Sequence, residues 1–375
     1  MSFDQPGGFM INNFVEKVLI QAGCENLAYT REILSRLPGA PVELFSSIRD
    51  ILPEAPDLPA AFSRGKRTLV LMENKGRFLK SCPGTREHLC CLYMVLHHAA
   101  GCPLDCSYCI LQAYLNNPSI VYHVNIEDMI KELREVFGKM RGRILRLGTG
   151  EYTDSLALER ITQTMRLLAP LLEEFPDVFL EVKTKTADLA SVMGLRPSEQ
   201  IILAWSLNPK GWIESEEKGA APLEERLRAA RKAQAEGYPV AFHFDPLLRF
   251  GEWEGAYQEV VERLAETVDL SRVLWVSLGS FRFPPLLKTV IQERFPETEL
   301  FHEEFIPGED GKMRYFKPLR MEMYSRMVGW LRKAAPDVFI YLCMEREDVW
   351  DAVFGFHPSD DQHLKNMLDA RCRTL

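Results

Sequence analysis

The feature that most constrains this chain is an alternation. From residue 66 onward, short apolar runs recur with amphipathic stretches between them. The runs are RTLVLME, YMVLHHAA, RILRLGTGE, VFLEVKTK, IILAWSLNP, PVAFHFDPL, RVLWVSLGS and VFIYLCME. Between most of them lie helical patterns such as EDMIKELREVFGKM, ALERITQTMRLLAPLLEEF, LEERLRAARKAQAEG, GAYQEVVERLAETV and PPLLKTVIQERF. Nearly all-apolar strands separated by helices indicate a parallel sheet buried on both faces. The fold class expected is therefore α/β, a partial parallel β/α (TIM-like) barrel. In such a barrel the C-terminal strand ends carry the chemistry. Several runs here end in small or polar residues: GTGE, KTK, SLNP, HFDP and SLGS.

The rest of the chain is organised around that pattern. Helical periodicity in NFVEKVLIQAG and TREILSRL, then the proline-rich DILPEAPDLPAAF, predicts an N-terminal helical or mixed layer with a linker over residues 1–65. The barrel is expected over 66–345 and a tail or helix over 346–375. EDGK at 309–312 is a turn signal, so a late β-hairpin insertion is expected near 302–316. A length of 375 residues, 46% hydrophobic, supports a sizeable core. No apolar run is long enough to span a membrane, and the start MSFDQPGGFM has no secretory pattern. Nine cysteines in such a chain read as reduced thiols of a cytoplasmic protein. The net charge of −8 excludes a broad nucleic-acid surface. Two local basic clusters remain: Arg64, Lys66, Arg67, Lys75, Arg77 and Lys80, and then Lys312, Arg314, Lys317 and Arg320. On charge pattern alone each reads as a solvated face.

GCPLDCSYCILQ follows the strand YMVLHHAA and places Cys102, Cys106 and Cys109 within eight residues. Three soft thiolates on one loop admit two metal readings. A structural zinc needs a fourth partner, for which His97, His98, Cys90 or Cys91 are candidates. A four-iron cluster can be held by three cysteines, leaving one iron open.

The segment CPLDCSYC resembles the cluster motif of radical S-adenosylmethionine (SAM) enzymes, in which an aromatic residue, here Tyr108, precedes the last cysteine. GTGE, residues Gly148, Thr149, Gly150 and Glu151, resembles the glycine-rich strand end that meets the methionine amino group in that superfamily. Within it the chain is similar to the spore photoproduct lyase family over roughly residues 66–345. The marks are GCPLDCSYCILQ, TDS after GTGE, TKT at 184–186, WSLNP at 205–209, GEWEGAY at 251–257, FRFPP at 281–285 and the basic hairpin. The resemblance implies a [4Fe-4S] cluster on Cys102, Cys106 and Cys109, S-adenosyl-L-methionine as cofactor, and a one-electron reductant of the flavodoxin or ferredoxin type. It places Thr153 where the family has a serine near the cofactor, Lys185 on a cofactor-binding lysine, and Ser206 on a serine that meets the methionine carboxylate. The implied substrate is a thymine photoproduct in DNA, with Lys312, Arg314, Lys317 and Arg320 on the family's DNA-wedging hairpin.

Two positions depart from that pattern. The family's hydrogen-donor cysteine stands three residues before the aspartate aligned with Asp154, and Glu151 occupies it here. A tyrosine of the donor relay is Ile110 here. A carboxylate does not give up a hydrogen atom as a thiol does. Tyr152 and Cys343 are candidate catalytic residues, and His243, with Asp245, is a candidate substrate contact at another strand end. The alternatives are a radical SAM enzyme acting on another substrate, and a non-catalytic iron–sulfur or zinc-binding protein.

Overall fold

A computed structural model describes residues 14–52, 58–85 and 87–374. The opening decapeptide and the middle of the proline-rich stretch lie outside the described residues. Eight strands form the main sheet: β1 (Leu79–Ser81), β2 (Met94–Leu96), β3 (Leu145–Gly148), β4 (Val178–Thr184), β5 (Ile201–Ser206), β6 (Val240–Leu247), β7 (Val273–Ser280) and β8 (Ile340–Leu342). They lie side by side in chain order. β1 is antiparallel to β2, and every later pair is parallel. β4 and β5 are buried almost throughout, as strands covered on both faces should be.

The sheet curls until its edges approach each other. Leu89, in the loop after β1, bridges to Glu345 beyond β8, and the Leu89 amide donates to the Glu345 carbonyl at 3.0 Å. Thr85 donates to Met344 Sδ at 3.5 Å and accepts from Lys312 Nζ at 3.1 Å. The loop between β1 and β2 thus stitches the first strand to the last. Below it the helix Asp361–Cys372 is locked in place by Asp369, which accepts from the buried Arg146 of β3 at 2.9 Å. The parallel partial β/α barrel expected from the alternation is the observed architecture.

The N-terminal layer is mixed, and one of its stretches departs from the helical reading. NFVEKVLIQAG contributes a strand, Lys17–Gln21, with alternating burial, not a helix. Branched Val18 and Ile20 both face the core at a period of two, which suits a pleated strand. This strand pairs in parallel with Val42–Phe45 and Thr68–Met72, and the latter with Ile120–His123. RTLVLME therefore joins this second sheet, not the barrel. YMVLHHAA divides between both: Met94–Leu96 stays in the barrel while Ala99–Ala100 pairs with Ile120–His123. TREILSRL lies within the helix Ala28–Ser35 and the turn after it, as its periodicity predicts. One continuous apolar cluster runs from Val15 to Cys372.

The late hairpin is present. Ile306–Pro307 pairs with Met313–Arg314, which also pairs with Arg282–Phe283 after β7. Its turn closes through Gly308 donating to the Lys312 carbonyl at 2.7 Å.

Candidate active site at the barrel mouth

The cysteine loop leaves the barrel after β2 and is fixed mainly through its backbone. Lys66 Nζ donates to the carbonyls of Cys102 and Leu104 at 3.0 and 2.8 Å. Gln112 donates to the carbonyls of Ser107 and Cys109 at 2.7 and 3.2 Å. Arg294 holds both oxygens of Asp105 at 2.9 Å, and Asp105–Cys106 pairs antiparallel with Glu217–Lys218. All backbone carbonyls named here have partners. All three thiols are free of disulfides. Burial pushes Cys102 up to about 12 and Cys106 well above the usual thiol range, and each also feels the charge of Cys109. A metal cation would hold buried thiols of this kind as thiolates.

The fourth partners a zinc would require are only partly engaged, and His98 Nε2 has no partner among the described residues. The Cys90 amide donates to Asp361 at 2.8 Å, and a thiol–thiol contact with Cys91, then burial, push the Cys90 thiol up. His97 Nδ1 faces Lys80 at 3.2 Å, and His98 Nδ1 faces the Leu96 carbonyl. Among the described residues no three His, Cys, Asp or Glu side chains converge on a point that holds a single ion. Three thiols on one loop suit a cluster whose irons sit at separate corners.

Facing the loop is a buried polar frame. The Lys185 ammonium lies 5.7 Å from the centre of the Tyr108 ring and bears on the charge of both Cys106 and Glu217. The Tyr108 hydroxyl donates to Glu217, which also accepts from Asn208 at 2.9 Å and from Arg226 at 2.5 Å. Both side chains of the Glu217–Arg226 pair are completely buried. Burial alone would raise the Glu217 carboxyl, but Arg226 and Lys185 outweigh it and hold it below its usual value. Arg226 donates in addition to the Ser206 carbonyl at 2.8 Å, which ties the end of β5 to this frame.

Asp154 organises the next two strand ends. One carboxylate oxygen accepts from the amides of Leu156 and Ala157 at 3.0 Å and from Thr184 at 2.7 Å. The other accepts from the Lys185 amide at 2.7 Å, so Asp154 sets the direction in which Lys185 leaves β4. Thr149 donates to Ser155 at 2.7 Å, and buried Thr153 donates to the Asp154 carbonyl at 3.5 Å. Close approach explains the glycines: a Cβ on Gly150 would sit 2.7 Å from Lys183 Cβ, and one on Gly148 would overlap the Tyr93 hydroxyl.

Glu151 turns away from this frame and forms an ion pair with Lys183. Two further pairs line the barrel interior. His243 Nε2 lies 2.5 Å from Glu181, and Arg282 meets both oxygens of Asp245 at 3.4 and 3.5 Å. Arg282 also donates to Cys343 Sγ at 3.8 Å. Tyr152 packs edge-on against His97, with ring centres 4.7 Å apart.

Of the four basic residues expected on the hairpin, Lys312 and Arg314 lie on it, whereas Lys317 and Arg320 lie in the helix Lys317–Ala334 that follows; they are spent mostly on the fold. Arg314 is buried and paired with Asp310 at 2.5 Å, with His88 Nε2 at 2.8 Å. Arg320 is buried against Glu345 and the Tyr315 carbonyl. Lys312 reaches Thr85, and only Lys317 forms an exposed pair, with Asp348 at 2.7 Å. Lys66, read as part of a solvated face, is the clamp on the cysteine loop. Glu217, Arg226 and Asn208 were not singled out, because nothing in their local spacing links them to thiols more than a hundred positions earlier.

A parallel partial barrel with a three-thiol loop at its mouth defines the class: a radical SAM-type fold. The family profile of spore photoproduct lyase matches residues 45–319. The chain belongs to the spore photoproduct lyase family, whose members are radical SAM lyases. Spore photoproduct lyase of Geobacillus sp. (strain Y412MC61) is 27% identical over 249 residues, covering 65% of this chain and 71% of the relative. That of Bacillus subtilis (strain 168) is 24% identical over 246 residues, covering 65% and 70%. The structure of a spore photoproduct lyase point variant superposes with a TM-score of 0.78 at 23% identity, over 88% of this chain and 98% of that one. A double variant with bound AdoMet and dinucleoside spore photoproduct gives a TM-score of 0.76 at 22% identity, with the same coverage.

Proposed function

We propose that Cys102, Cys106 and Cys109 hold a [4Fe-4S] cluster and that S-adenosyl-L-methionine binds between it and the strand ends. The observation that carries this reading is the placement of Lys185 and Tyr108 against a disulfide-free, backbone-anchored cysteine loop. The strand end Gly148–Gly150 faces the methionine amino group, with Thr153 beside it, and Lys185 and Ser206 take the carboxylate, for which a cation and a hydroxyl are suitable partners. Tyr108, fixed by Glu217, supplies a wall. Bound together, cluster and cofactor supply a 5′-deoxyadenosyl radical for abstraction of hydrogen from a substrate. The chain's own part is to orient the cofactor and to keep water out. The buried Glu217–Arg226–Asn208 frame and the sealed loop serve both ends.

The substrate we favour is the thymine photoproduct of DNA, since relatives are named for that reaction and solved neighbours hold its dinucleoside form. A second reading, another organic substrate, is favoured by the Glu151–Lys183 pair standing where the family keeps a thiol. The electron comes from a flavodoxin- or ferredoxin-type reductant, and the setting is cytoplasmic. Among the described residues no helix is long and apolar enough to cross a membrane.

Anaerobic reconstitution followed by reduction with S-adenosylmethionine present tests the reading. A brown protein with about four irons per chain that makes 5′-deoxyadenosine is expected. A colourless protein holding one zinc contradicts it. Turnover of a photoproduct-bearing oligonucleotide decides between the two substrates.

A further inference from the structure

A radical lyase leaves an unpaired electron on its product, and some group must return a hydrogen atom to it. The thiol expected at position 151 is replaced by a carboxylate locked to Lys183. Four other cysteines gather around the barrel interior: Cys82, Cys90, Cys91 and Cys343. Three come from the loop that stitches β1 to β8.

The pairing of β1 with β2 fixes where Cys82 points. Lys80 pairs with Val95 and Ser81 with Met94, so Cys82 stands opposite Tyr93, whose carbonyl accepts from the Cys82 amide at 2.9 Å. Directly opposed residues of an antiparallel pair share a face, as do positions two apart. Lys80, Cys82, Tyr93, Val95 and His97 therefore line one face. That face is the interior: the Tyr93 hydroxyl is buried over Gly148, and Lys80 and His97 both touch the Tyr152 ring, at 5.9 and 4.7 Å. Cys82 is thus a half-buried thiol on the face that meets the end of β3, where Glu151 and Tyr152 stand.

We propose that Cys82 is the hydrogen-atom donor of this enzyme, a thiol supplied from the β1 edge in place of one at the end of β3. The inference rests on the radical reading above. In the step, the Cys82 S–H bond breaks homolytically, the hydrogen atom forms a C–H bond on the product radical, and the unpaired electron remains on sulfur. One electron from the reductant already required, with one proton from solvent, restores the thiol. The surroundings keep the group in its S–H form: burial, then the Glu151 charge, push it up to about 12. A donor must be a thiol and not a thiolate, so this environment suits it. Cys343 differs in that its sulfur is engaged by the Arg282 guanidinium.

The test uses the reconstituted full chain in D2O with S-adenosylmethionine and reductant, first with no substrate and then with the dinucleoside photoproduct as probe. A nitrone radical trap is included in a parallel sample, and adducts are mapped by peptide mass spectrometry. The thiol exchanges to S–D, so the unprotein-bound readout is deuterium in 5′-deoxyadenosine without substrate, and in the product with it. Wild type and Cys90→Ala are expected to incorporate deuterium and to carry the trap on Cys82. Cys82→Ala and the conservative Cys82→Ser should lose deuterium at least about tenfold while total 5′-deoxyadenosine stays within about twofold. Equal deuterium in the Cys82 variants, or a trap adduct that maps only to other residues, overturns the proposal. Absence of 5′-deoxyadenosine from wild type overturns the radical reading itself, a different result.

Discussion

The two sides of the barrel mouth are built on different terms. On the side of the cysteine loop, the loop carbonyls and the fully buried Glu217–Arg226 pair have hydrogen-bond partners inside the fold, and Lys185 lies over the Tyr108 ring. On the opposite rim, Glu151–Lys183, Asp245–Arg282 and the thiols of Cys82 and Cys343 are partly exposed, and the buried Tyr93 hydroxyl has no hydrogen-bond partner among the described residues. A satisfied frame fixes one geometry, as the proposed cofactor site requires. A rim with looser ion pairs leaves room for residues to be exchanged as the substrate or the hydrogen source changes. Glu151, which the family resemblance places at a thiol position, falls on this second side.

That contrast can be broken most sharply at the cluster. Cys106→Ala should reduce iron after anaerobic reconstitution from about four per chain to less than about one, measured by metal analysis; unchanged iron would remove the ligand assignment. Next comes the frame against the rim. Glu217→Gln leaves Arg226 buried without its partner and should cost about 3–5 kcal/mol in chemical denaturation. Glu151→Gln on the rim, whose partner keeps access to water, should cost about 1 kcal/mol or less. Equal losses would erase the distinction drawn here.

A pH series sharpens it further. His98 and His123 lie behind the rim, and burial first of all lowers them to about 4 and about 3. Both are neutral in the fold and take up protons more readily when unfolded. Their contribution is therefore complete above pH 6.5 and is lost as pH falls through 6.5 toward 4, at about 3 kcal/mol for His98. Denaturation midpoints that stay flat across that window would contradict their buried neutral state. The smallest effect is expected for Tyr93→Phe, which removes a hydroxyl with no partner and should change stability by less than about 1 kcal/mol.

What the sequence disclosed follows the same division. The barrel was legible because seven apolar runs with helices between them can hardly form anything else, and β3 to β8 fall within the expected runs. The cysteine loop was legible because its three cysteines are close in sequence. NFVEKVLIQAG misled because Val15, Val18 and Leu19 also satisfy helical spacing; only pairing with Thr68–Met72, some fifty positions later, makes it a strand. The same non-locality hid Glu217 and Arg226. Basic residues were the least readable: Lys66, Arg314 and Arg320 resemble a solvated surface in sequence, yet each is bound to carbonyls or carboxylates inside the fold. A charge run carries no mark of the partner that neutralises it.

The central claim is that three sulfurs hold a cluster with a corner left for the cofactor that Lys185 helps to seat. Electron paramagnetic resonance of the reduced, reconstituted protein, recorded before and after addition of S-adenosylmethionine, tests it most directly. The account predicts a cluster signal that shifts on addition in wild type and shifts much less in Lys185→Ala. A wild-type signal that does not respond to the cofactor would contradict it.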